Sequence, residues 1–251
     1  MADRQKTGLE DKRILIAGGA GEVGEGIVRA FLRRGATVIV PSRTGQHLEK
    51  LRRRVEDLAS GHLLTYQATL HTEDGLDELR ARIEGDVGAL YAAVASLGGW
   101  WQGANLPDVP LDEWNRIIAN GLTSHFLIAR TFIPVLARQP ASSYTLINGG
   151  AALAPVPKSG PVSIVAFAQL MLQNVLAMEN KGRVRVNTLL LATPVITRSR
   201  TSGPANWLTA DAAGEYAVYL ASRAAADVHG ETIHFRDREQ LDALDIPPAL
   251  E

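Results

Sequence analysis

The sequence predicts an α/β fold: an open parallel sheet, doubly wound, with helices on both faces in three α/β/α layers. Three observations carry this expectation. Short apolar runs alternate with longer helical patterns along the chain, and strands joined through helices of that length make right-handed crossovers, which leave the strands parallel and both faces covered. Residues 13–28, RILIAGGAGEVGEGIV, read as a strand, a glycine turn and a helix start. Long Gly- and Pro-containing loops at 97–110 and 193–207 follow strand ends, where such a sheet carries its ligand rim.

Taken in order, residues 14–17 form a four-residue apolar run, short enough for a buried strand. Val23, Ile27 and Val28 then recur at helical spacing, so a helix is expected over 23–34. The pattern repeats as strands at 37–40, 63–66, 89–95, 144–148, 184–191 and 232–235, separated by helices at 45–59, 75–83, 111–136, 163–180 and 210–222. A chain of 251 residues with 46% hydrophobic content can bury a full core as one large domain, expected over 12–251 after a short flexible tail at 1–11. The formal net charge of -1 sets up no global field for nucleic acid or an anionic membrane. With no cysteine, disulfides, thiolate metal sites and thiol catalysis are excluded, and no metal site is expected. The opening residues lack the apolar core of a leader, and charges are expected to interrupt each apolar stretch before it spans a bilayer, so the chain reads as cytoplasmic.

Gly19, Gly21 and Gly24 fill a G-x-G-x-x-G fingerprint in its proper context, between a strand and a helix. Glycines there permit the tight turn and the approach of backbone to a pyrophosphate, and the helix N-terminus offers its unpaired N–H groups. The turn from Gly18 through Gly19, Gly21, Glu22, Val23 and Gly24 is therefore the expected phosphate seat of a Rossmann-type dinucleotide site. The end of the second strand selects the dinucleotide. An NAD site would carry an acid for the ribose 2′-hydroxyl, whereas this chain has Ser42 and Arg43, a hydroxyl and a guanidinium suited to a 2′-phosphate. NADP(H) is the expected cofactor.

The order and spacing of these elements resemble the short-chain dehydrogenase/reductase family from Lys12 to about Asp237. LDEWNRIIANGLTSHFLIA resembles the family's helix with an active-site asparagine, here Asn120; VRVNTLLLATPVITR is similar to its sixth-strand motif and VHGETIHF to its closing strand. The resemblance implies hydride transfer between the nicotinamide and a carbonyl or hydroxyl group, a cofactor contact at Ala95 after the fourth strand, and a homodimer or homotetramer. The chain departs from the pattern at several places. The second family glycine falls on Glu22, and the spacing Gly18, Gly21, Gly24 is closer to the extended and atypical branches. The family's serine falls on Gly150, and its tyrosine and lysine on Val162 and Ala166, or one residue later on Ser163 and Phe167. None of Tyr66, Tyr91, Tyr144, Tyr216 and Tyr219 has a lysine four residues on, so no shift restores the motif.

Reducing a carbonyl creates an alkoxide that a positioned acid must protonate, a contribution of roughly 10²- to 10⁴-fold. Asn120, Lys158 and Ser163 are the candidate replacements, with Ser159, Asn148 and His125 nearby. Each also has a plain structural reading: Lys158 as a solvated loop charge, the serines as helix caps, Asn120 as a tie between backbone groups, His125 as a core histidine. Trp100, Trp101 and Trp207 could wall a pocket for a small flat substrate or could simply stiffen loops or a subunit contact. Three functions stay open: an NADP(H) oxidoreductase with an unusual proton source, a non-catalytic NADP(H)-dependent binding or partner subunit, and a non-redox isomerase, lyase or cyclase. FLIARTFIPVL and IVAFAQLMLQNVLAM are apolar on more than one helix face, and the excess predicts an interface between copies.

Overall fold

A computed structural model describes residues 8–58, 60–244, 246 and 249. Among them the strands are β1 (Arg13–Ala17), β2 (Thr37–Ser42), β3 (His62–Gln67), β4 (Ala92–Ala95), β5 (Ser143–Gly149), β6 (Arg185–Leu191), β7 (Val195–Ile196), β8 (Leu208–Thr209) and β9 (Thr232–Phe235). The main sheet has the order β3-β2-β1-β4-β5-β6-β9, all neighbours parallel, and β7 and β8 form a separate parallel pair. Strand order reverses between β1 and β4, so the crevice for a ligand opens at the carboxyl ends of those two strands.

The helices are α1 (Glu22–Leu32), α2 (Gly45–Arg54), α3 (Glu73–Asp86), α4 (Leu111–Ile118), α5 (Ser124–Leu136), α6 (Gly160–Glu179), α7 (Ala210–Ala221) and α8 (Glu239–Asp242). Successive side chains of a strand point to opposite faces, which explains why β1 is apolar from Ile14 to Ala17, after the exposed Arg13. Its Ile14 and Ile16 pack with Ile27, Phe31, Leu48 and Ala213 under α1, α2 and α7, while Leu15 and Ala17 pack with Leu79, Phe132 and Ala177 under α3, α5 and α6. α1 and α7 approach until their backbones touch: a Cβ on Gly26 would sit 2.2 Å from the Ala210 carbonyl carbon. That contact draws the first turn of α1 towards the loop that leads into α7.

Several expectations need correction. Leu9, placed in a flexible tail, is fully buried in the core, and Lys12 N–H donates to its carbonyl at 3.0 Å; residues 1–7 lie outside the described residues. The helix expected at 111–136 is interrupted by a π-helical turn at Ala119–Thr123. α2 ends at Arg54 instead of residue 59, β4 begins at Ala92 instead of 89, and α6 starts at Gly160 with Pro161 in its first turn, where a missing N–H costs nothing. α6 also carries no interrupting charge: 20 residues at hydropathy 1.5 are long and apolar enough to cross a bilayer. Its length and composition suit it equally to covering a sheet, and here Val165, Ala166, Gln169, Gln173 and Ala177 turn inward.

Candidate functional site

The crevice is built around a turn whose glycines are sterically required. Gly18 has φ +85°, and a Cβ there would lie 2.0 Å from the Ser96 carbonyl oxygen after β4; a Cβ on Gly24 would lie 2.1 Å from the Gly18 oxygen. Gly19 would meet Val40 at 2.9 Å and Gly21 would meet the Gly18 oxygen at 3.1 Å. The turn is closed by Gly19 N–H to Ile16 and Gly21 N–H to Gly18, and the first bond of α1 runs from Glu25 N–H to Gly21. The N–H groups of Glu22, Val23 and Gly24 thus form the open first turn of the helix, which carries the positive end of its dipole. Ala95 pairs with Ala17 and is fully buried, so its side chain belongs to the core beneath the crevice.

At the other end of the crevice, Ser42 closes β2 and its hydroxyl accepts from Thr44 N–H at 3.3 Å. Arg43 reaches Asn120 in the π turn, Nη1 to Oδ1 at 3.5 Å, and its carbonyl accepts from the Gln67 amide. A cavity of about 220 Å³ opens beside it, lined by Arg43, Gln67, Thr69, Glu78 and Arg82 among others. Arg82 stands over the Tyr66 ring, 5.0 Å from its centroid. Burial and the Asp86 carboxylate that accepts the Tyr66 hydroxyl push that phenol up to about 12. Arg82 and Gln67 were missed from sequence, because nothing in their local pattern marks them as neighbours of Arg43.

The two registers differ in burial along α6. Phe167 is 64% exposed, whereas Ala166 is buried and packs with Ala151, Ala152, Leu170, Leu190 and Ala192. Val162 and Ala166, one turn apart on α6, are half-buried and buried, whereas Ser163 is buried and Phe167 points to solvent. On β5 a Cβ at Gly150 would lie 3.3 Å from the Ala192 carbonyl oxygen, while one at Gly149 would meet nothing within 4 Å. Gly149 is thus the position with more room for a side chain, and the strand runs to it before the chain turns into a 3-10 segment at Gly150.

The expected proton donors are placed as follows. Ser163 accepts Val156 N–H at 3.2 Å and ties the preceding loop to α6. Lys158 is exposed in that loop with φ +61°, its carbonyl accepting from Gly103 N–H at 2.9 Å. Asn120 faces Arg43. Asn148 spends both ends of its amide on backbone, donating to the Ala166 carbonyl at 2.8 Å and accepting Gly149 N–H at 2.7 Å. Gln169, which sequence reasoning did not single out, donates to the Gly121 carbonyl at 3.0 Å and fixes the π turn against α6. The tryptophans are held within their own loops: Trp100 is mostly exposed, Trp101 packs over Gly103, and Trp207 packs over Gly203 beneath Arg200.

His125 sits fully buried behind the site, with Nε2 3.3 Å from the Leu97 carbonyl. Desolvation pushes it down to about 4, so it stays neutral in the fold. An unfolded histidine titrates near 6.5. Between those two values the unfolded chain binds a proton that the folded chain refuses, so this contribution is present above pH 6.5 and is lost as pH falls towards 4. Going from pH 7 to 4.5 should cost the parent about 2 to 3 kcal/mol more than His125→Gln, which keeps a donor for Leu97 and does not titrate. Urea unfolding at the two pH values checks this, and equal losses would refute it.

Glu22 is exposed, and its carboxylate is engaged by the loop after β6. It accepts the Ser199 N–H and the Ser199 hydroxyl, each at 3.0 Å. The backbone bond from Ser199 and a bond from Thr197 hold this carboxyl below the usual carboxylate range.

The family model described as short chain dehydrogenase matches residues 12–204. An uncharacterized oxidoreductase of Bacillus subtilis, YvrD, is 29% identical over 185 residues, covering 72% of this chain and 68% of that protein. The dehydrogenase/reductase SDR family member 4 of Bos taurus is 29% identical over 189 residues, covering 72% of this chain and 65% of its own length. The matched stretch thus spans about two thirds of these relatives. A short chain dehydrogenase of Shigella flexneri, solved in complex with NADP, superposes with TM-score 0.82 at 20% identity, covering 91% of this chain and 98% of that one.

Proposed function

The chain belongs to the short chain dehydrogenase family, and from that premise we propose that it binds NADP(H) and has lost most of the family's power to reduce a carbonyl. The observation that carries the cofactor reading is Ser42-Arg43 at the end of β2, where the strand end itself carries no acid for a ribose hydroxyl, beside a cavity whose lining includes both Arg82 and Glu78. The glycine cradle supports it: Cβ atoms at Gly18 and Gly24 would collide with backbone, so the turn keeps the close approach that a pyrophosphate needs. Gly18, Gly19, Gly21, Val23 and Gly24 would hold the phosphates, and Ser42 and Arg43 the 2′-phosphate. Bound there, the nicotinamide supplies a hydride. The protein's own part is the proton, and Val162 and Ala166 offer no titratable group for it. Calorimetric titration tests the reading: NADPH should bind more tightly than NADH, and binding of neither would overturn it.

Two outcomes of that loss are distinguishable. A hydride-transfer enzyme that takes its proton from substrate or water would oxidise NADPH with some carbonyl compound, while a cofactor-dependent partner subunit would bind NADPH and oxidise it with none. The Val162 and Ala166 positions favour the second.

The reading includes a homo-oligomer. Ile164, Phe167, Met171, Val175 and Met178 expose an apolar stripe along α6 at helical spacing, and Phe126 is exposed on α5. Contiguous exposed apolar surface of this kind marks an interaction site. Light scattering at micromolar concentration should give a dimer or tetramer, and Phe167→Glu with Met171→Glu should reduce it to monomer; a monomeric parent would refute the assembly.

A further inference from the structure

The first turn of α1 carries two carboxylates, and both are engaged by one segment of the loop after β6. Glu22 takes the N–H and hydroxyl of Ser199 at 3.0 Å each. Glu25, one turn on and almost fully buried, takes Arg198 and also Arg54 Nη1 at 2.9 Å. The segment between them is a closed turn, with Thr197 N–H donating to the Arg200 carbonyl at 2.9 Å. Its stem is pinned on both sides, because Val195 and Ile196 pair with Leu208 and Thr209 and the Thr193 hydroxyl accepts Leu208 N–H at 3.0 Å. Residues 197–207 are therefore a loop with a fixed base whose first residues, Arg198 and Ser199, are fastened to the beginning of α1.

That fastening point coincides with the phosphate seat. The N–H groups of Glu22, Val23 and Gly24 favour an anion, and Glu22, whose carboxylate Ser199 holds, is itself the first residue of that turn. An incoming pyrophosphate meets a like charge there, and Glu22 cannot swing aside while Ser199 holds it. We propose that residues 197–200 are a strap that Glu22 and Glu25 latch over the phosphate seat, and that a dinucleotide binds by releasing Ser199 from Glu22. This rests on the cofactor reading above. The bonds at Ser199 are solvent-exposed, and each net bond of that type is small, so the latch opens at a cost that cofactor binding can meet. Glu25 is buried and doubly paired, so it anchors the strap while Glu22 serves as the releasable contact.

Hydrogen exchange across residues 197–203 and NADPH titration should be measured on the parent, Ser199→Ala and Glu22→Ala. Exchange should rise in Glu22→Ala without cofactor, and in the parent on saturation with NADPH. NADPH should bind about threefold more tightly to Ser199→Ala and about tenfold more tightly to Glu22→Ala. Unchanged exchange in Glu22→Ala overturns the latch. Tighter binding to Glu22→Ala with none to Ser199→Ala also overturns it, leaving simple charge repulsion. Should no dinucleotide bind any of the three chains, the cofactor reading falls and takes the gating with it, whereas normal parent binding insensitive to Ser199→Ala removes the gating alone.

Discussion

With saturating NADPH, the parent chain should reduce simple ketones and aldehydes at no more than a trace, and Gly149→Ser, Val162→Tyr and Ala166→Lys together should raise that rate by roughly 10²- to 10⁴-fold, the usual contribution of a positioned acid. The reason lies on α6. Val162 and Ala166 are one turn apart, Ala166 turns inward beside Ala151 and Ala192, and Gly149 is the strand-end position with room for a side chain. Val162→Tyr alone should stay inert, because a phenol with no cation beside it keeps a pKa near 10. The neighbouring set Gly150→Ser, Ser163→Tyr and Phe167→Lys should be inert too: residue 167 points to solvent, and Ser163 already ties down the Val156 N–H. Circular dichroism confirms that each variant folds. Ordinary enzymatic rates in the unmodified chain would sink the prediction, and Asn120→Ala, Lys158→Ala and Ser163→Ala would then identify the proton donor.

Arg43→Ala should abolish the preference for NADPH. A charge-assisted hydrogen bond contributes about 1.5 to 3 kcal/mol, so NADPH affinity should fall roughly 10- to 150-fold while NADH affinity barely moves. Arg43 is free to serve, since its contact with Asn120 is long and exposed and can be exchanged for a phosphate. Arg82 lines the same cavity and makes a useful control, because Arg82→Ala should cost less than Arg43→Ala if the 2′-phosphate sits at the end of β2. Equal affinity of the parent for the two dinucleotides would remove the basis of the prediction.

Much of this protein was legible in its sequence, for a physical reason. Strands of a doubly covered parallel sheet are apolar on both faces, and the helices between them keep helical spacing, so local pattern alone announces the fold class and nearly every element of the sheet. The glycine turn was equally readable, because Gly18 and Gly24 meet backbone only a few residues away or on the adjoining strand. Ser42-Arg43 and the missing tyrosine and lysine are statements about residue identity, which sequence carries in full.

The tertiary structure decided what depends on facing. Which of Val162 and Ser163 is the more buried is a matter of about 100° of rotation per residue around α6, and only packing against the sheet sets it. That Gly149 has more room for a side chain than Gly150 depends on where β5 ends beside Ala192. Leu9 was drawn from an apparent tail into the core because only the folded sheet offers an apolar surface there. Glu22 looked like a substitution in a glycine motif until the fold brought Ser199, 177 residues away in sequence, within 3.0 Å of its carboxylate. Periodicity records which residues share a face of one element; which elements then meet is set by sheet order and crossover handedness, and no local pattern encodes the partner of a side chain that reaches across the crevice.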